Sequence, residues 1–179
     1  MSPLPYGLTK QHIAYAVSQT ERYFTHINEA AIAGGYPSLL QIVASNSASG
    51  LVSDLMILSL CDVHDNFVRN TKPGGFPDIL TKSDYDTDHI QKGCCGIEVK
   101  STKKEVWQGH NVEEGWFMAI KYTPCNIKHN ITINNVFLAQ LVADDWTVCP
   151  RKEGSRRTPT ANINKNGMCK LRSCVLYGD

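Results

Sequence analysis

The sequence predicts one α/β domain, helical up to residue 70 and sheet-forming from residue 76 onward. Three observations predict it. Apolar residues recur at steps of three and four over residues 9–33. The stretch LVSDLMILSLCDVHDNFV, residues 51–68, is too long for one strand. After the loop NTKPGG the apolar pattern changes to a period of two. A chain of 179 residues can bury a real core, and 42% hydrophobic with 20% charged residues is globular usage.

The first helix carries Ile13, Ala16, Val17, Thr20, Phe24, Ile27 and Ala31 on one stripe. Thr9 can cap its start, and Gly34-Gly35 stops it. Residues 37–45 form a second helix with Pro37 in its first turn. Residues 51–68 form a third, mostly buried. Residues 76–80 are a short apolar strand. In the strand 96–102, Ile97, Val99 and Ser101 point one way and Glu98, Lys100 and Thr102 the other. Residues 116–122 and 136–143 are further strands, and 170–177 is the last. Helices followed by strands in one chain this size predict a single domain over 1–179. Its parts are 1–70 (mostly helical), 76–143 (the sheet) and 150–179 (a basic segment and the last strand).

Composition excludes some classes. No apolar run has transmembrane length, and MSPLPYGLTK lacks a signal pattern, so a cytoplasmic protein away from membranes is expected. The seven cysteines show no CxxC and no structural zinc spacing, so free thiols are expected. Asp84-Tyr85-Asp86-Thr87-Asp88 begins like a calcium loop. His89 then stands where the sharp turn needs glycine, and Cys95 where the last ligand would be glutamate. Net charge is +1, but Lys100, Lys103 and Lys104 cluster, as do Arg151, Lys152, Arg156 and Arg157. Such patches suit a phosphate-facing surface.

The segment from Pro77-Asp78 to Glu98-Val99-Lys100 carries the chemistry. Period two puts Glu98 and Lys100 on one face, and Asp78 opens a neighbouring strand that can lie opposite. Two carboxylates and an ammonium would then converge. Carboxylates alone repel and raise one another's pKa, and a divalent cation removes that cost. Mg²⁺ takes oxygen ligands and keeps several waters, so two carboxylates and a phosphate oxygen suit it. A lysine beside them can stabilise developing charge on a phosphate or help activate water. This is equipment for phosphodiester hydrolysis.

Pro77-Asp78, a connection, then Glu98-x-Lys100 resembles the PD-(D/E)XK nuclease superfamily, within which the chain looks most like a type II restriction endonuclease. The resemblance implies a restriction endonuclease-like fold, a central mixed sheet flanked by helices. It implies Asp78 and Glu98 as ligands of Mg²⁺, with Mn²⁺ able to substitute, the Val99 carbonyl as a further ligand, and Lys100 as the water-orienting or charge-stabilising residue. Many members add an acid from an earlier helix, for which Glu29 and Asp54 are the candidates. The expected partner is double-stranded DNA. A homodimer would match a palindromic site, and a cognate methyltransferase would belong to the same system without being bound.

For DNA contacts the sequence offers Lys103 and Lys104, then Arg156, Arg157, Thr158, Thr160, Asn162 and Asn164. Arg reads guanine and Asn reads adenine, and an extended TPTANIN would aim Thr158, Thr160, Asn162 and Asn164 the same way. Two other functions fit the same residues. One is a structure-specific repair or junction nuclease, and the other a non-catalytic nucleic-acid-binding domain.

Overall fold

The structure, a computed structural model, describes residues 3–109, 111–125, 130–150 and 160–178. Helix α1 (Lys10–Ala33) starts at Thr9, whose side chain accepts from the His12 amide, and ends at Gly34. Its buried face is Ile13, Ala16, Val17, Thr20, Phe24 and Asn28. The expected stripe therefore drifts in the last turns: Ile27 is exposed and Asn28 is buried instead. The reason is polar. Asn28 Oδ1 accepts from the Leu39 amide at 2.7 Å and so holds the start of α2 (Leu39–Ile42). That helix is shorter than the expected 37–45.

Helix α3 (Ser45–Val63) begins six residues before the expected 51 and stops earlier, at a cap on His64. The Phe67 amide donates to the His64 carbonyl, a tight turn that redirects the chain into strand β1 (Phe67–Arg69). Then follow β2 (Ile79–Thr81), β3 (Ile97–Thr102), β4 (Gln108–Gly109), β5 (Gly115–Cys125) and β6 (Asn130–Leu141). The chain ends with β7 (Trp146–Cys149), β8 (Thr160–Ile163), α4 (Lys165–Ser173) and β9 (Val175–Tyr177).

Six strands form one mixed sheet in the order β1-β2-β3-β5-β6-β9. The β3–β5 pair is parallel and the other neighbours are antiparallel. Helices α1 and α3 cover one face. Ile13, Val17, Phe24, Val52, Met56 and Leu60 pack there against Ile97, Val99, Met118, Ile120, Val136 and Leu138. The opposite face carries a second core, with Phe117, Ala119, Phe137 and Leu141 meeting Trp107, Trp146, Ala161, Ile163 and Leu171. This core is capped by an antiparallel three-stranded sheet, β4-β8-β7. Both faces of the central strands are dry, which explains their near-continuous apolar runs. The architecture is mixed α/β, as the sequence predicts.

The second sheet and α4 correct the expectation for residues 150–179. The expected strand 170–177 is strand only from Val175. Asn164 accepts from the Asn166 and Gly167 amides and so caps α4, which buries Gly167 and Leu171. A Cβ on Gly167 would meet Ile163 at 2.7 Å and the Asp145 carbonyl at 2.8 Å, so the glycine is needed for close approach. No helix among the described residues is long and apolar enough to cross a membrane.

Candidate active site

Asp78 lies immediately before β2, and Glu98, Val99 and Lys100 lie in β3. Strands β2 and β3 pair at a single position, Ile79 with Ile97. Beyond it, a side chain continues the connection: the Val99 amide donates to Asp78 Oδ2 at 2.9 Å. The N–H and C=O of one strand residue project to the same side, so the Val99 carbonyl also faces Asp78.

The loop before β2 is held by Asn70. Its amide nitrogen donates to the Pro77 and Ile90 carbonyls, each at 2.9 Å, and its backbone N–H donates to the Asp78 carbonyl at 2.8 Å. The entry to β3 is held by two phenols. Tyr85 oxygen accepts from the Cys94 and Cys95 amides, each at 2.8 Å, and Tyr6 oxygen from the Gly96 amide at 3.0 Å. None of Asn70, Tyr6 or Tyr85 was signalled by the motif, because each acts through backbone contacts made only in the folded chain.

In register, Glu98 stands beside Phe117 and Lys100 beside Ala119. Both charged side chains therefore share the sheet face of the second core, while Ile97 and Val99 fill the helical one. Lys100 Nζ and Glu98 Oε1 form an ion pair. The Glu98 side chain is only 5% exposed, against 23% for Lys100. Among the described residues Glu98 Oε2 is buried with no donor of its own, and the Asp78 carboxyl is its neighbour. Burial, and then the charge of Asp78, push the Glu98 pKa up to about 8 against the opposing pull of Lys100. Burial also raises Asp78 above the usual carboxylate range, although Lys100 and the Val99 amide work the other way. Burial disfavours the Lys100 ammonium, but Glu98, Asp78 and Glu113 outweigh it, and its pKa stands above the ordinary lysine value.

These groups line a cleft with two lobes of about 800 and 710 Å³. Asp54, Ile57, Asp78 and Lys100 belong to both lobes. One lobe runs along the small polar face of α3 (Ser45, Ser49, Ser53) toward Lys103 and Lys104. The other is bounded by Arg69, Lys72, Glu98 and Glu113.

The cleft separates the two candidate helix acids. Asp54 lines it and pairs with Arg69 at 2.7 Å. Glu29 is exposed on α1 and is not among the cleft residues, which removes it from the set. Among the DNA-contact candidates, Lys103 and Lys104 line the cleft. Thr160 and Asn162 share the half-buried face of β8, and Asn162 pairs with Gln108, another cleft residue. Asn164 leaves that row: it has turned to cap α4 and donates to the Asp144 carbonyl at 2.8 Å. Arg156, Arg157 and Thr158 lie outside the described residues.

The donor set suits a hard divalent cation. A buried carboxylate and a half-buried one, with a carbonyl on the same side, form an anionic, oxygen-only corner. Among the described residues no three His, Cys, Asp or Glu side chains form a complete cage. Mg²⁺, which keeps several of its waters, asks for only one or two protein carboxylates.

Sequence reasoning missed Glu113. It precedes β5, lines the lobe with Glu98 and Lys100, and lies close enough for its charge to act on both. No spacing relative to the motif announces it. It missed the α3 face because it started that helix at 51, although Ser45, Ser49 and Ser53 recur at steps of four. No protein-family model, curated protein or solved structure matches the chain.

Proposed function

We propose that this chain is an Mg²⁺-dependent endonuclease that hydrolyses phosphodiester bonds of double-stranded DNA at a defined sequence and leaves 5′-phosphates. One observation carries the reading. Asp78, Glu98 and Lys100 line one open cleft, and the two carboxyl groups stand against each other with no further partner for Glu98 Oε2 among the described residues. Burying two acids beside each other opposes stability, so the arrangement makes physical sense as a cation site.

Mg²⁺ or Mn²⁺, when bound by Asp78 and Glu98 with the Val99 carbonyl, supplies positive charge that offsets both acids and stabilises a scissile phosphate in the transition state. The chain's own residues do the rest. The Val99 amide fixes Asp78. Lys100, a third charged group on the same cleft, presents its ammonium to a phosphate oxygen or orients the attacking water. Lys103 and Lys104 neutralise neighbouring phosphates. The finer reading is a type II restriction enzyme with a methyltransferase in the same system, and a palindromic target would ask for a homodimer.

The test is incubation of the purified protein with mixed DNA and Mg²⁺, followed by sequencing of fragment ends. Ends at one recurrent sequence, abolished by EDTA and by Lys100→Ala with DNA binding retained, support the reading. Cuts at branches or mispairs irrespective of sequence would replace it with a repair nuclease. Intact DNA under all conditions would leave only nucleic-acid binding.

A further inference from the structure

Three carboxylates act on the Lys100 ammonium: Glu98, Asp78 and Glu113. Two of these are the proposed cation ligands. Glu98 already holds Lys100 in an ion pair, and a divalent cation at the same carboxylate would stand beside that ammonium. Like charges so close in a buried corner repel strongly. When the cation arrives, Lys100 needs another counter-ion within reach.

Glu113 is placed for the role. It lines the same lobe as Glu98 and Lys100, on the chain between β4 and β5. Its Oε2 lies against the β4 backbone, 3.3 Å from where a Cβ on Gly109 would sit. The second sheet therefore positions it, while Glu98 is positioned by the first.

We propose that Glu113 is the alternate counter-ion of Lys100: it takes the ammonium when a divalent cation engages the Glu98 carboxylate, and in doing so sets the cation affinity of the site. The inference rests on the cation-dependent reading above. Glu113 is thus a positioning residue acting through Lys100. Without it, Lys100 stays on Glu98 and competes with the cation.

The experiment is Mn²⁺ titration calorimetry, without DNA, on the wild type, Glu113→Gln, Glu113→Asp, Lys100→Gln and the double variant Glu113→Gln/Lys100→Gln. Glu113→Gln is expected to weaken Mn²⁺ by about 10–100-fold, the usual loss for a group that orients a metal site from outside it. Glu113→Asp, which keeps the charge, stays within about threefold of wild type. Once Lys100 is Gln, removing Glu113 costs nothing further. Unchanged affinity in Glu113→Gln overturns the inference and leaves the nuclease reading standing. An equal loss in both Lys100 backgrounds also overturns it, since Glu113 would then act on the cation directly. A wild type that does not bind Mn²⁺ sinks both.

Discussion

The Val99 amide donates to Asp78 Oδ2 at 2.9 Å, which ties the acid before β2 to the strand that carries Glu98 and Lys100. Strand pairing alone would not do this, since the β2–β3 ladder has one pair. Asp78→Asn keeps an oxygen that can accept this bond but removes the charge. It should fold normally, bind DNA, and lose cleavage by about a hundredfold or more. A variant that cuts at the wild-type rate would remove Asp78 from the site.

The Glu98 pKa of about 8 makes the metal-free protein sensitive to pH. An acid whose pKa rises on folding binds its proton more tightly when folded. Its contribution to stability is complete below the ordinary glutamate value and is lost as pH climbs through about 8. Asp78, raised chiefly by burial, adds an effect of the same sign. Glu98→Gln is neutral at every pH. In EDTA its melting temperature should therefore gain on the wild type between pH 5 and pH 8.5, by about 3 °C or more. Parallel curves over that range would contradict the burial argument.

Gly96 turns the chain into β3 at φ +130°, where a Cβ would lie 2.1 Å from the Ile79 carbonyl and 2.7 Å from Pro77. Gly96→Ala must shift the β2–β3 approach that brings Asp78 to Val99. Urea unfolding should show a loss of about 2 kcal/mol or more, accompanied by weaker Mn²⁺ binding. Destabilisation with undiminished Mn²⁺ affinity would mean that the site does not depend on this approach.

Lys103 and Lys104 lie beyond Lys100 in the other lobe. If both meet phosphates, replacing them with Ala lowers the slope of log affinity against log salt by about one unit per lost contact. Filter binding in EDTA at several salt concentrations reads this directly. Mn²⁺ affinity should not move. An unchanged slope would place the DNA path elsewhere.

Some of this was legible in the chain itself. The threefold-and-fourfold periodicity and Thr9 located α1, because a helix face is a local property of spacing. Alternation in IEVKST placed Glu98 and Lys100 opposite Ile97 and Val99 for the same reason. The folded chain decided the rest, since each remaining feature joins residues far apart in sequence. Asn70 is 20 residues from Ile90, Tyr6 is 90 from Gly96, and both bonds shape the approach to the site. The connection between β4 and β5 delivers Glu113 to the cleft, and the second sheet is built from β4, β7 and β8, which no periodicity linked. The letters specified which charges share a strand face. Only packing decided how dry that face is, and burial lifted an ordinary glutamate to a pKa of about 8.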